Sequence, residues 1–308
     1  MNNFKILIAN FFVLLITISY SYTYIVTKWI LWEVGEFYFL SLRFLISSAI
    51  LLIFLLHKLE KFTAQVIKSG VICGLFLALT FYFQTIGLEY SSPGTAGIIT
   101  GISTLIIPYI FFFFNKKPLQ VAAVLGSLVG FSGLLIFSRD EQAIQNDATG
   151  ELYLFFCAMS LAVYTFFIDK SYKKNSNLDT HIFAFIQVFI VGVSFVPFAL
   201  WKETFPLPIT EKIAYGFAYE IFIGTVLFFV GIAILQKYTP PNHISLIFST
   251  EAVFAFLFSW WLYGEIITRR VVIGASLIII GILITEIFEK HKFKLRGKFK
   301  SWQFQRKQ

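Results

Sequence analysis

The segment YTPPNHISLIFSTEAVFAFLFSWWLYGE, Tyr238–Glu265, decides how the whole chain must be interpreted. It begins with a proline-bearing turn and continues as an apolar stretch, and one carboxylate, Glu251, lies near the middle of that stretch. About 20 apolar residues are enough to cross a bilayer as a helix. Because an ionisable side chain is costly at membrane depth, Glu251 is a hypothesis for a functional site.

The composition extends this interpretation to the rest of the chain. Hydrophobic residues make up 57% of the 308 positions, charged residues 14%, and the mean hydropathy is +0.77. A soluble domain carries about 25% charged residues, so the sequence predicts an all-α polytopic membrane protein. The first apolar run, Ile6–Val26, is longer than the apolar core of a signal peptide and is interpreted as the first span. Cys73 and Cys157 lie inside apolar runs and are predicted to be core residues.

Charged and proline-bearing interruptions divide the chain into ten predicted transmembrane helices. Their approximate ranges are 6–27, 37–56, 69–88, 94–114, 120–138, 150–168, 180–201, 213–235, 243–263 and 271–287. Most of the 25 Lys and Arg residues fall on one side if the N-terminus is cytoplasmic. The positive-inside rule then predicts that both termini are cytoplasmic, in a multi-pass protein of a cell inner membrane. The basic tail, 288–308, is expected to face anionic lipid.

An internal repeat organises these helices. Tyr90 and Tyr238 are 148 residues apart, and the same offset pairs Gly126 with Gly274 and Gly133 with Gly281. The chain is therefore predicted to have two five-helix repeats, 1–138 and 150–287. Because five is odd, the two repeats must enter the membrane in opposite orientations, as in secondary transporters whose binding site lies between the halves. The glycines are expected to let the fifth and tenth helices pack closely, half against half.

Three stretches resemble the EamA-type transporters of the drug/metabolite transporter superfamily. They are FYFLSLRFLISSAILLI (37–53), with its arginine in the second helix, LEYSSPGTAGIITGISTLIIPYIF (88–111), and the opening segment (238–265). The resemblance covers the chain to about Glu286 and rests on the order, spacing and duplication of the motifs. It implies a ten-helix bundle with a central cavity, transport of a small metabolite and no ATP hydrolysis. The chain departs from the family pattern at Glu251-Ala252, where the family often has Glu-Pro.

Polar groups inside the predicted helices are the candidate binding residues. Glu251 lies about eight residues, or about 12 Å, into its helix, so it is predicted to bind a proton or the cationic part of a substrate; a structural hydrogen bond to a neighbouring helix is the alternative. The other candidates for substrate or proton binding carry hydroxyl, amide or carboxyl groups: Gln84, Tyr20, Tyr24, Tyr164, Glu220, Ser103 and Ser245. Thr100, Tyr219 and Trp260 are further candidates for the lining of the cavity.

Arg43 and Glu220 each follow the start of a predicted helix by about seven residues. Both helices run from outside to inside, so the two side chains are expected at similar depth. An unpaired charge at that depth is costly, and the two are therefore predicted to neutralise one another. The alternatives are that Arg43 is a structural anchor near its helix end and that Glu220 lines the cavity.

Several classes of function are disfavoured. No spacing of His or Cys predicts a metal site, and no nucleophile elbow, carboxylate pair or phosphate loop predicts catalysis, a cofactor or ATP hydrolysis. The net charge of +8 comes without a nucleic-acid recognition motif. The predicted function is secondary transport of a small solute, an amino acid or a related amphipathic or cationic compound, by a monomer or homodimer among membrane lipids. A translocase for lipids or lipid-linked sugars, and a membrane interaction subunit without transport, are the alternatives; an intramembrane enzyme is the least favoured.

Overall fold

A computed structural model describes residues 3–116, 118–138, 147–175, 178–204, 210–239 and 241–285, and none of these described residues belongs to a β-strand. Each of the ten predicted segments is largely helical over its described residues. Among the described residues, eight helices are long and apolar enough to cross a membrane: α1 Phe4–Leu31, α2 Glu36–Lys58, α3 Ala64–Glu89, α4 Pro93–Asn115, α6 Ala148–Lys174, α7 Thr180–Lys202, α8 Glu211–Leu235 and α9 Leu246–Tyr263. Helix α5, Val121–Phe137, is shorter but apolar, and α10 covers 269–285. The protein is an all-α polytopic membrane protein.

Polar residues at the helix starts explain where the helices begin. The Ser92 side chain accepts a hydrogen bond from the Thr95 backbone N–H, and Pro93 occupies the first position of α4. A proline is harmless there because that N–H has no partner within the helix. Asp179 caps α7 in the same way, accepting from the backbone N–H of His181. Such caps satisfy donors that the first turn of a helix leaves free.

The packing of the helices has the symmetry that the repeat predicts. The offset pairs α2 with α7, α4 with α9, and α5 with α10, and in the structure α2 packs along α7 and α4 along α9. The contact of α3 with α6 has its counterpart in the contact of α8 with α1. Helices of one half thus meet their own repeat partners in the other half, as expected around a two-fold axis in the membrane plane. The boundaries 1–138 and 150–287 remain predictions, and the tail 288–308 lies outside the described residues.

Four glycines let the backbones of α5 and α10 come into direct contact. A methyl group on Gly133 would lie 2.7 Å from the Gly274 carbonyl oxygen, and one on Gly126 would lie 2.6 Å from the Gly281 carbonyl oxygen. The contacts are crossed, since the offset pairs Gly126 with Gly274 and Gly133 with Gly281. Crossed contacts require that α5 and α10 run antiparallel and touch through the same face. The predicted packing of these two helices, half against half, is confirmed.

The two ends of the bundle differ in charge. One end, which we call the lysine-rich end, carries these basic residues among the described ones: Lys5, Lys58, Lys61, Lys68, Lys116, Lys170, Lys173, Lys174 and Lys237. The opposite, glutamate-rich end carries Glu33, Glu36, Glu89, Glu151, Glu203, Glu211 and Glu265.

Charged side chains at the glutamate-rich end cap helices of the bundle. The Lys28 ammonium group donates to the backbone oxygens of Leu88 and Glu89, at 2.7 and 2.9 Å, and so satisfies carbonyls at the C-terminus of α3. The Glu203 carboxylate accepts from the backbone N–H groups of Phe37 and Tyr38 at 2.8 and 2.7 Å, at the start of α2. A cation at a helix C-terminus and an anion at an N-terminus both complement the helix dipole. These contacts hold the helix ends together on this side.

Candidate functional site

Helices α4 and α9 change their winding at equivalent positions. The Ile102 N–H donates to the Ile99 carbonyl at 3.1 Å, and the Thr250 N–H donates to the Ile247 carbonyl at 3.0 Å. These are three-residue bonds where an α-helix has four-residue bonds, and the offset of 148 relates one pair to the other. The break in α9 forms although Ala252 occupies the position where the resembled family often has proline. It places Glu251 at the first position of the following helical segment.

Glu251 lies at the centre of a hydrogen-bonded chain that joins three helices. The Tyr24 hydroxyl of α1 donates to Glu251 Oε1 at 2.9 Å. The Gln84 amide of α3 donates to the Tyr24 hydroxyl oxygen at 3.2 Å. Helix α1 also changes its winding here, at Tyr22, and the Ser21 hydroxyl reaches the backbone oxygen of Glu251 at 3.2 Å. The two halves of the chain therefore meet at Glu251, since α1 and α3 belong to the first half and α9 to the second.

No cation neutralises this carboxylate within the part of the chain that the structure describes. The ion pairs found there involve Arg43, Lys58, Lys61 and Lys173, and none of them includes Glu251. The Tyr24 side chain is buried, with 2% exposure, whereas Glu251 and Gln84 are only partly buried. A carboxylate without a charge partner is unfavourable at membrane depth. The site is consequently suited to bind a proton or a cation.

Aromatic rings of α1 contact α8 and α9 near the change of winding at Tyr22, and Tyr20 lies within electrostatic range of Glu251. The Tyr20 ring lies against the Phe228 ring of α8, with centroids 4.3 Å apart. Tyr22 meets Phe258 of α9 edge to face, at a centroid distance of 5.8 Å. Tyr20 is partly buried, like Glu251. Rings beside a carboxylate favour a ligand with positive charge, because the face of an aromatic ring attracts cations.

The other predicted lining residues do not all gather at Glu251. The Tyr164 hydroxyl donates to the Gln187 side chain of α7 at 2.7 Å, so it serves a contact between α6 and α7. Ser103 is buried, at 5% exposure, beside the break in α4. The Ser245 side chain lies outside the described part of the structure. Trp260 is 51% exposed, and its place in the lining of the cavity stays a prediction.

Arg43 and Glu220 form the predicted ion pair. Arg43 Nη1 lies 2.8 Å from Glu220 Oε2, and the side chains are 4% and 0% exposed. The Thr27 hydroxyl of α1 donates to Glu220 Oε1 at 2.8 Å. Glu220 therefore lies inside a structural cluster and does not reach an accessible cavity wall. The predicted pairing is observed, and the structural role of Arg43 stays a prediction.

A π-helical turn in α8 completes the coordination of Arg43. The turn covers Phe222–Leu227, and it presents the Gly224 carbonyl and the Thr225 hydroxyl to the guanidinium group at 3.2 and 3.0 Å. Thr225 in turn donates to the Glu220 carbonyl, five residues earlier, at 2.9 Å. The guanidinium also lies 4.9 Å from the centroid of the Phe44 ring. Single π-turns of this kind often occur at functional sites, and no local pattern in the sequence indicates this one.

A second carboxylate, Glu265, joins α4 to α9 at the glutamate-rich end. It accepts from the Ser92 hydroxyl at 2.6 Å and from the Ser259 hydroxyl at 2.5 Å. Gly264 makes the turn that brings it back toward α9, with a φ of 77° that suits glycine. Burial raises the pKa of Glu265 above its usual value, and the hydroxyl donors only partly oppose this. Glu265 therefore holds a proton more readily than an exposed glutamate does.

These features define a polytopic helical membrane protein, built as an inverted repeat, with an interior carboxylate between its halves. The chain belongs to the EamA-like transporter family, which it matches twice, over residues 7–139 and 148–287. It is a membrane transporter of the drug/metabolite transporter type.

Its relatives include proteins named as uncharacterized transporters. One from Archaeoglobus fulgidus is 29% identical over 283 residues, which is 92% of this chain and 87% of the relative. Another, YetK of Bacillus subtilis, is 25% identical over 263 residues, 81% of this chain and 78% of the relative. A solved structure titled "Crystal structure of protein" superposes with a TM-score of 0.64 at 16% identity, covering 94% of this chain and 99% of its own. This last similarity concerns the fold alone.

Proposed function

We propose that this transporter is a secondary carrier that moves a small cationic or amphipathic solute, such as an amino acid or a related compound, by alternating access. The observation that carries the proposal is the position of Glu251, a carboxylate without an ion-pair partner among the described residues, at the junction of α1, α3 and α9. A cation or proton bound there changes the charge at the contact between the two halves. Binding is thereby coupled to their relative position.

The surroundings of Glu251 support the class of solute. A ligand bound at Glu251 is placed to contact the Tyr24 hydroxyl and the Gln84 amide. The Tyr20 ring, which packs on Phe228 and lies within electrostatic range of Glu251, offers an aromatic face nearby. Pockets of this kind bind small ligands through apolar walls and a few placed polar groups. A primary amine or a quaternary ammonium group suits the carboxylate and the ring faces, and a polar remainder suits the amide and hydroxyl groups.

The arrangement of the halves supports the mechanism. Contacts at the glutamate-rich end, such as Lys28 with α3 and Glu265 with α4, hold α1, α3, α4 and α9 together on that side. Alternating access requires that these contacts break when the opposite side closes. We further propose that the N- and C-termini are cytoplasmic, that the protein resides in a cell inner membrane, and that it works as a monomer or homodimer.

The experiment begins with a thermal-shift screen of purified protein against amino acids and amines. A solute that binds the folded state raises the melting temperature as its concentration exceeds the dissociation constant. The solute with the largest shift is then used for counterflow into proteoliposomes, with wild-type protein, Glu251→Gln, and the exposed control Glu211→Gln. We expect Glu251→Gln to lose transport or its pH dependence, and the control to keep both. Full transport by Glu251→Gln with unchanged pH dependence would contradict the proposal.

A further inference from the structure

A lateral groove between α2, α7 and α8 is separate from the site around Glu251. It has a volume of about 380 Å³ and apolar walls that include Leu51, Ala184 and Val226. Phe54 and Phe222 stand at its sides and are 64% and 56% exposed. The groove opens onto the outer surface of the helical bundle, and lipid surrounds that surface in a membrane. An acyl chain is the molecule that the hydrocarbon region of a bilayer supplies to such a surface.

The groove ends at the lysine-rich end. Leu51 and Lys58 both line it, and seven residues of α2 correspond to about 10 Å of depth at 1.5 Å per residue. His181, at the start of α7, lies beside Lys58 in the lining. The apolar part therefore extends into the depth of the hydrocarbon core, and the polar end lies where headgroups are.

The polar end carries an excess of positive charge. The Nζ atoms of Lys58 and Lys61 lie 3.8 and 3.7 Å from the same oxygen of Asp179, so two ammonium groups share one carboxylate. Lys237, just after α8, lies close enough to His181 to act on it electrostatically. The described charged groups near this end of the groove are Lys58, Lys61 and Lys237 against Asp179 and Glu60. One positive charge is therefore left to attract an anion. Basic pockets between transmembrane helices are known to bind anionic headgroups.

We propose that this groove binds one acyl chain of an anionic phospholipid, with the headgroup phosphate at Lys58 and Lys61. The lipid then contacts the outer side of the π-turn, because Phe222, Val226 and Leu227 line the groove while Gly224 and Thr225 of the same turn hold Arg43. The proposal does not depend on Glu251 or on the direction of transport.

Native mass spectrometry of the detergent-purified protein tests the proposal. Phosphatidylglycerol and phosphatidylcholine with identical acyl chains are added separately at equal concentration, and the bound fraction is measured. We expect wild-type protein to retain phosphatidylglycerol in preference to phosphatidylcholine. Lys58→Ala should reduce the retention of phosphatidylglycerol about fivefold, the loss of one charge-assisted contact, and leave phosphatidylcholine unchanged. Lys170→Ala, an exposed lysine at the same end outside the groove, is the matched control.

A second variant tests the position of the acyl chain. Ala184→Trp places a large ring inside the groove and should reduce the retention of both lipids. If Ala184→Trp does not give folded protein, Val226→Trp fills the same space from α8. Retention that is unchanged in a folded tryptophan variant overturns the proposal. An equal loss for Lys58→Ala and Lys170→Ala overturns it too, because the attraction would then be unspecific.

Discussion

Tyr24 donates its hydroxyl proton to Glu251 across the boundary between the two halves of the chain, at 2.9 Å. The first half thus supplies the donor and the second half the carboxylate. The donor is itself fixed, because its oxygen accepts from Gln84. The orientation of the Glu251 carboxylate therefore depends on the relative position of the two halves.

Tyr24→Phe removes this hydroxyl and keeps the ring. We expect the KM for the transported solute to rise about tenfold, because a hydrogen bond to a charged group contributes about 1.5–3 kcal/mol. The maximal rate should change less. Solute counterflow into proteoliposomes measures both constants, with Tyr215→Phe, whose residue is 76% exposed, as the control. An unchanged KM would show that the hydroxyl does not position the carboxylate.

Separate loss of Arg43 or Glu220 should be severe. Breaking a buried ion pair by removing one partner costs about 3–5 kcal/mol, so Arg43→Met and Glu220→Gln are each expected to lower the melting temperature strongly. The double variant should lose less than the sum of the single losses, since no charge is left unpaired. Size-exclusion chromatography checks that each variant is folded, and melting temperatures in detergent measure the coupling between the two residues. Additive losses of melting temperature would contradict the coupling. Lys68→Met, at an exposed position, is the control.

Stability should depend on pH through Glu265. The pKa of this carboxyl group is raised in the folded protein above its usual 4.5, because burial disfavours the charged form. The folded protein therefore binds the proton more tightly than the unfolded chain does, and stability falls as pH rises through the interval from 4.5 to the folded-state pKa. Glu265→Gln should flatten this part of the melting profile. Glu211→Gln should not, and identical profiles for wild type and Glu265→Gln would be evidence against this assignment.

The contact between α5 and α10 should not tolerate a methyl group. Gly133→Ala places that group 2.7 Å from the Gly274 carbonyl oxygen, and overpacking costs about 1–3 kcal/mol. Gly274→Ala should have a similar effect, because its methyl group would lie 2.8 Å from the Gly133 carbonyl oxygen. Melting temperatures in detergent compare these variants with Ser132→Ala, an exposed position on α5. A loss no larger than that of Ser132→Ala would mean that the helices can separate at no cost.

The sequence was sufficient to predict the fold, because each apolar run has to form a helix in a membrane. The backbone hydrogen bonds of a lipid-exposed segment have no other partners. The pairing of Arg43 with Glu220 followed from the same physics, since two opposite charges at one depth are costly apart. The close packing of α5 and α10 was predictable because the repeat places glycines on both helices, and glycine has no side chain to keep the backbones apart.

The details of the site required tertiary structure. Nothing local in the sequence distinguishes Tyr24, which meets Glu251, from Tyr164, which meets Gln187. The π-turn at Phe222–Leu227 depends on Arg43 from another helix, and the change of winding at Thr250 occurs without a proline. Contacts between distant helices decide each of these features, and hydrophobic periodicity does not encode them.

The crossed glycine contacts also bear on how the two halves could diverge after a duplication. Gly126 touches Gly281 and Gly133 touches Gly274, so a bulkier residue in either repeat collides with the backbone of the other. A larger side chain in one repeat is therefore tolerated only if the other repeat makes room for it, and both repeats carry glycine at these positions. Ser103 and Glu251 occupy equivalent positions of the two repeats, and no hydrogen bond between them is found among the described residues. At this position the two copies differ. The shared interface restrains the two repeats to a common sequence, whereas the interior leaves one copy free to acquire a charge.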